Sequence, residues 1–119
     1  MTEINEADEL LRRIHPYHIV MDQKLGRERP ASAAFENTTG TDCMSVDLNK
    51  LLNCPEDCVK DYSGCSIAIF EVVIAYELNQ GVKGSPQPEN PAHCDVIGKK
   101  TESVKKKFAV KSQLLKLSA

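Results

Sequence analysis

Histidine and proline occur together in two short segments of this chain, and these segments hold its best candidates for chemistry. All three histidines lie within two residues of a proline: His15 and His18 flank Pro16, and His93 follows Pro91. Histidine exchanges protons and binds metals near neutral pH, and proline restricts the backbone that carries it. If the two segments meet in the fold, their side chains could form one site.

Other polar residues could join the histidines in an acid–base or anion-binding site. We predict catalytic roles for His93, His18 and Ser45, with histidine moving a proton. Arginine can hold a phosphate or carboxylate through paired hydrogen bonds, so the predicted binding residues are Arg12, Arg13, His15 and Arg29. Each histidine also has a simpler interpretation, in which His15 caps a helix end and His93 holds a loop through its backbone.

The five cysteines are a second candidate for chemistry. Cys54 and Cys58 have a spacing that could present two thiolates to zinc, with Cys65, His93 or Cys94 completing the ligands. Irregular gaps between the cysteines favour the alternative, that they are small buried apolar side chains. An odd number of cysteines without an export signal also disfavours a disulfide framework. We therefore expect no cofactor and no metal, with Cys54 and Cys58 as the alternative zinc ligands.

Length and composition predict an ordinary globular protein. A chain of 119 residues, 41% of them hydrophobic and 27% charged, fits one domain over residues 1–119. The acidic N-terminus does not resemble a signal peptide. The longest apolar run, residues 67–78, is interrupted by Glu71 and Glu77 and is too short to span a bilayer. We expect a cytoplasmic protein that does not bind membranes.

Charge is distributed unevenly along the chain. Residues 99–119 hold seven lysines and one acid, Glu102, which gives this segment a net charge of +6 against −8 for the rest. A basic C-terminal helix could contact phosphates, but no aromatic or arginine pattern typical of nucleic-acid binding accompanies the lysines. We therefore interpret the segment as a solvated or charge-balancing helix, and we do not expect nucleic acid as a partner.

The sequence pattern predicts the elements that must position these residues. Acids followed by Leu10, Leu11 and Ile14 predict an N-terminal helix that ends before Pro16. A C-terminal helix is predicted from Glu102 to about Leu117, capped by Thr101. A short helix is expected over 55–62 and helical structure after residue 75. The predicted strands cover residues 17–21, 31–35, 43–48, 66–74 and 93–97, with polar loops at 22–31 and 84–91.

These elements predict the α+β class. We expect a single small domain with a mixed or antiparallel sheet of about four to five strands, flanked by an N-terminal and a C-terminal helix. In the strand at 43–48, Met44, Val46 and Leu48 would face one side and Cys43, Ser45 and Asp47 the other. The acids elsewhere fall in predicted helix starts and loops, where capping and solvation explain them.

Two resemblances add to this interpretation. Four blocks, 11–16 (LRRIHP), 29–35 (RPASAAF), 44–47 (MSVD) and 91–93 (PAH) followed by Gly98, resemble a type of small uncharacterised bacterial protein. This resemblance implies a free-standing bacterial protein and no established activity. The arginine, histidine and serine candidates also resemble, in outline, the residue types of ADP-ribosyltransferase-like domains. The catalytic glutamate that this second resemblance implies has no clear counterpart here.

Two functions follow from these observations. The first is a small binding or regulatory domain without catalysis, self-associating through its apolar strand or C-terminal helix. The alternative is a small enzyme acting on a nucleotide or other anionic ligand through Arg13, His15, His18, Ser45 and His93. Phosphate-binding glycine loops and the common hydrolase motifs are absent, which disfavours the common nucleotide-binding and hydrolase classes. The position of His93 relative to His15 and His18 distinguishes the two functions.

Overall fold

A computed structural model describes residues 2–117, and its dominant feature is β structure. The eight strands are β1 Glu9–Ile14, β2 Ile19–Asp22, β3 Arg27–Pro30, β4 Cys43–Leu48, β5 Ser66–Glu71, β6 Gly81–Gly84, β7 His93–Ile97 and β8 Gln113–Leu115. The two α-helices are α1 Val72–Glu77 and α2 Glu102–Lys111, and short 3-10 turns cover Pro16–His18, Ser32–Ala34, Asn49–Leu51 and Pro55–Val59. No helix in residues 2–117 is long and apolar enough to cross a bilayer.

Six of the strands form one antiparallel sheet. Their order is β6-β7-β4-β1-β5-β8, and β2 and β3 pair separately as a two-stranded ribbon. The prediction of an α+β domain with four or five strands between two terminal helices is therefore wrong. The structure of residues 2–117 is mostly sheet, and within that range α2 is the one helix longer than two turns.

The N-terminal helix is the main error, because its residues form the central strand β1. Leu10 and Ile14 are buried on one face of the sheet and Leu11 on the other, all three without exposed surface. Apolar residues on both faces of a strand break the strict alternation, and the spacing of Leu10, Leu11 and Ile14 also fits a helical stripe. Pairing with β4 on one side and β5 on the other satisfies the backbone hydrogen-bonding groups of β1. This pairing favours a strand over a helix.

The helix-covered face of the sheet holds the larger core. Met44, Val46 and Leu48 point into it, as the alternation of β4 predicts, together with Cys94 and Val96 of β7. The chain's three phenylalanines meet there: the Phe108 ring of α2 stacks on Phe35 at 5.7 Å and contacts Phe70 at 5.0 Å between centroids. Aromatic burial of this kind attaches α2 to the sheet.

Several local predictions are confirmed and others are wrong. The bounds of β4 and β7 agree with the predicted strands, and Thr101 caps α2 by accepting a hydrogen bond from the Val104 amide at 3.2 Å. The C-terminal helix ends at Lys111, and β8 follows it. The predicted strand at 31–35 is a 3-10 turn, the predicted helix at 55–62 is a 3-10 turn over Pro55–Val59, and the predicted loop at 22–31 contains β3.

Gly98 joins β7 to α2 where no other residue fits. Its φ is +148°, and a Cβ added there would lie 2.7 Å from Oε1 of Gln80. The Gln80 side chain cannot easily give way, because it is buried and its amide donates to the carbonyls of Leu78 and Lys99 at 3.3 and 3.1 Å. The β7–α2 connection therefore depends on glycine at this position.

We expect Gly98→Ala to lower the free energy of unfolding by about 2 kcal/mol or more, because backbone strain and a steric clash combine. Urea denaturation of the variant and the wild type measures the difference. Gly81→Ala is the matched control, since its added Cβ would meet nothing closer than 3.9 Å and its φ is ordinary. Equal denaturation midpoints for the Gly98 variant and the wild type would contradict this account.

Candidate functional site

The face of the sheet opposite α2 carries a polar cavity at its centre. Three adjacent strands supply its floor: Arg13 from β1, Ser45 and Asp47 from β4, and His93 from β7. Strand register sets this arrangement, because Asp47 pairs with Leu11 on one side and His93 on the other. We call this space, of about 480 Å³, the Asp47 cavity. Its walls come from residues 51–62 and 87–93.

Asp47 is the deepest charged group of the cavity. It is 4% exposed, and its Oδ1 accepts a hydrogen bond from the side-chain amide of Asn90 at 2.8 Å. Within residues 2–117 it forms no ion pair. A buried carboxylate is costly without a counter-charge, so Asp47 is poised to accept a cation or a strong hydrogen-bond donor.

Arg13 is the opposite charge in the same cavity. Its guanidinium lies 4.1 Å from the centroid of the Tyr62 ring, and its Nη1 donates a long hydrogen bond of 3.4 Å to the carbonyl of Cys58. Arg13 also lacks an ion-pair partner in the described part of the chain. The cavity therefore contains a cation and an anion that do not pair with each other.

Cys58 is close to both charges and stays neutral. Burial, together with the nearby charge of Asp47 and against the opposing effect of Arg13, raises the pKa of its thiol to about 12. Burial also raises the pKa of Cys94, on the other face of the sheet, to about 11. Nucleophilic cysteines need a lowered pKa and access to solvent, so neither thiol is suited to catalysis.

His93 is held by its own loop. Its Nδ1 lies 2.6 Å from Oγ and 3.1 Å from the carbonyl oxygen of Ser85, which orients the ring. Nε2 makes no hydrogen bond within residues 2–117, so it is the ring nitrogen left for a ligand. The proposed loop-holding role of His93 and a ligand-binding role are therefore compatible.

The structure brings some of the predicted site residues together and separates others. Arg13, Ser45 and His93 share the Asp47 cavity, whereas His15 and His18 line a second depression with Arg12 and Arg13. The two histidine segments therefore do not meet in one cavity. His15 follows a strand, so the predicted role of capping a helix end does not apply to it.

Three other candidates have structural partners. Arg29 lies on the β2–β3 ribbon, where its Nε donates to Asp22 at 2.7 Å, away from both cavities. Cys54 is exposed, and its thiol donates to Oδ1 of Asp57 at 3.6 Å. In residues 2–117 no group of three or more histidine, cysteine or acidic side chains could hold a metal ion. Cys54 and Cys58 are therefore not part of such a group.

The sequence interpretation missed Asp47, Asn90 and Tyr62 as site residues. A signal for Asp47 was present, since the alternation of residues 43–48 places it on the same face as Ser45. Nothing in the sequence indicates that Asn90 reaches Asp47 or that Tyr62 packs on Arg13, because both contacts join distant parts of the chain.

The buried thiol gives a direct test of this environment. We expect iodoacetamide at pH 8 to alkylate exposed Cys54 and to leave Cys58 unmodified, because thiolate is the reactive form and burial keeps Cys58 protonated. Mass spectrometry of peptides identifies the labelled residues, and labelling in urea, where all five thiols react, is the control. Labelling of Cys58 at the rate of Cys54 would contradict the account.

Comparison of the chain with models of protein families, with curated proteins and with solved structures found no match. The resemblances drawn from the sequence therefore remain expectations, and the chemistry of the cavities is the basis for function.

Proposed function

We propose that this protein is a small-molecule-binding domain whose Asp47 cavity holds a zwitterion. Asp47 would receive the cationic group of the ligand, and Arg13 its carboxylate or other anionic group. The observation that carries the proposal is that these two opposite charges line one cavity and that neither forms an ion pair in residues 2–117. A bound zwitterion would neutralise both groups at once.

The cavity is large enough for a small polar molecule such as an amino acid, and its lining is polar. Its volume of about 480 Å³ falls in the range of small-molecule sites. Asn90, Ser45 and Nε2 of His93 add neutral hydrogen-bonding groups that could fix the orientation of the ligand. The lining also contains Asp57, Asp61 and Glu89 against one further cation, Lys60, and this excess of carboxylates disfavours a purely anionic ligand.

The chemistry of the side chains in the Asp47 cavity favours binding without catalysis. The Cys58 thiol is protonated, and Nδ1 of His93 contacts serine rather than a carboxylate that would activate it. The alternative, an enzyme for anionic substrates that uses His15, His18 and His93 together, would need one substrate to reach two separate cavities. We therefore retain the binding or regulatory domain.

The cellular location of the protein is part of the proposal. All five cysteines are free thiols, which fits the reducing cytoplasm of a bacterium. A cytoplasmic domain that binds a metabolite-sized zwitterion would act as a sensor or carrier, alone or as an oligomer.

Binding of free α-amino acids tests the proposal. A thermal-shift screen of the standard amino acids should find at least one that raises the melting temperature, since a ligand of the native state stabilises it. For that amino acid, the matching amine without the carboxylate and the N-acetylated derivative should each bind roughly 10- to 100-fold more weakly, because each lacks one charged hydrogen bond.

Variants of the two charged residues complete the test. Asp47→Asn and Arg13→Gln should each raise the dissociation constant, measured by isothermal titration calorimetry, by roughly 10- to 100-fold. Asp95→Asn is the matched control, because Asp95 lies on the same face of β7 as His93 but does not line the cavity. Circular dichroism checks that each variant is folded. The proposal fails if no amino acid binds, or if the Asp47 and Arg13 variants bind as tightly as the control.

A further inference from the structure

A second depression lies at the end of β1, on the other side of Arg13. It has a volume of about 490 Å³ and lies between the turn Pro16–His18 and the loop at residues 36–39. Its basic lining residues are Arg12, Arg13, His15 and His18, and Thr38 and Thr39 supply hydroxyl groups. We call it the His18 depression. It has the opposite charge balance to the Asp47 cavity.

Arg12 gives this depression a fixed positive charge. Its guanidinium donates to three backbone carbonyls, those of Ala34, Ser45 and Glu36, at 3.0, 2.7 and 3.4 Å. It forms no ion pair within the described residues. Burial, and to a smaller extent the neighbouring charge of Arg13, lowers the pKa of Arg12 to about 10. Arg12 and Arg13 are consecutive in β1, and two guanidinium groups with no ion pair in residues 2–117 favour an anion nearby.

The carboxylate in the lining does not neutralise this charge. Glu36 is the acidic residue of the His18 depression, and its Oε1 lies 3.3 Å from Nζ of Lys105 in α2. Lys105 also pairs with Glu102 at 2.8 Å. The net charge of the depression is therefore positive whether or not its histidines are protonated.

Hydrogen-bond donors around the depression are free to bind a ligand. The hydroxyls of Thr38 and Thr39 and the ring nitrogens of His18 make no hydrogen bond within residues 2–117. His15 contacts the Cys65 thiol through Nδ1 at 3.6 Å, which leaves its Nε2 available. Stacking of the His15 ring on Tyr17, with centroids 5.2 Å apart and planes within 6°, holds that ring in place.

We infer that the His18 depression is an oxyanion site for a phosphoryl group, carried by free phosphate or by a phosphomonoester. A phosphoryl group has several acceptor oxygens and up to two negative charges, which matches a ring of imidazole and hydroxyl donors in the field of two guanidinium groups. The carboxylates that disfavour an anion in the Asp47 cavity do not line this depression. The inference does not depend on the proposed function, although Arg13 lines both cavities.

Titration with inorganic phosphate and with phenyl phosphate, followed by NMR or calorimetry, tests the inference. We expect saturable binding of at least one of them to the wild type, weakened by added sodium chloride because the attraction is electrostatic. Equal affinities would indicate free phosphate as the ligand, and tighter binding of phenyl phosphate would indicate a monoester. Absence of saturable binding of both would overturn the inference.

Variants distinguish this site from the Asp47 cavity. The double variant His18→Asn/Thr39→Val should weaken phosphate binding about tenfold or more, since it removes two donors to the anion. His93→Asn, which changes the other cavity without removing a carboxylate near Arg13, should leave phosphate binding unchanged. Unchanged phosphate binding in the double variant would overturn the inference. Amino-acid binding in the double variant is a separate readout, so the two proposals can fail independently.

Discussion

The pairing of β1 between β4 and β5 is the constraint on which the rest of the structure depends. It buries Leu10 and Ile14 under α2 and Leu11 on the opposite face, so one six-residue strand contributes to both apolar clusters. The same strand carries two adjacent arginines, and the alternation of side chains sends them to opposite faces. Arg12 therefore packs against the carbonyls of the 34–36 turn, and Arg13 reaches the cavity that contains Asp47.

Carboxylates line both cavities, so the lack of an ion pair at the two arginines of β1 is not due to a lack of nearby acids. Neither Arg12 nor Arg13 has a carboxylate partner in residues 2–117, although acids outnumber bases in the sequence. Ion pairs on the β2–β3 ribbon and α2 use other residues, such as Arg29 with Asp22. Partly buried charges without an ion-pair partner cost stability, and such groups are concentrated at functional sites. We interpret both cavities in this way.

The sequence predicted the strands β4 and β7 better than the strand β1. The bounds of β4 and β7 were predictable because each alternates cleanly between apolar and polar residues. The strand β1 was mistaken for a helix because burial on both faces removes that alternation. Short strands such as β6, which has glycine at both ends, carry no local signal and form only because a neighbour pairs with them.

Several residues of the candidate site could be predicted from the sequence, but which of them share a cavity could not. Arg13, Ser45 and His93 were all named, whereas Asp47 was placed on the same strand face as Ser45 but given no role in the site. The register that places Asp47 beside His93 links residues 46 positions apart, and no local pattern in the sequence specifies it. Likewise, the separation of His15 and His18 from His93 follows from the topology of the sheet, in which the end of β1 and the start of β7 open into different cavities.

A double-mutant cycle on Arg13 and Asp47 in the ligand-free protein tests the central claim most directly. The free energy of unfolding is measured by urea denaturation for the wild type, Arg13→Gln, Asp47→Asn and the double variant. Because the two groups share a cavity but do not form an ion pair, we expect a coupling energy below about 1 kcal/mol. A stabilising coupling of about 1.5 kcal/mol or more would mean that they pair with each other, which would contradict the account.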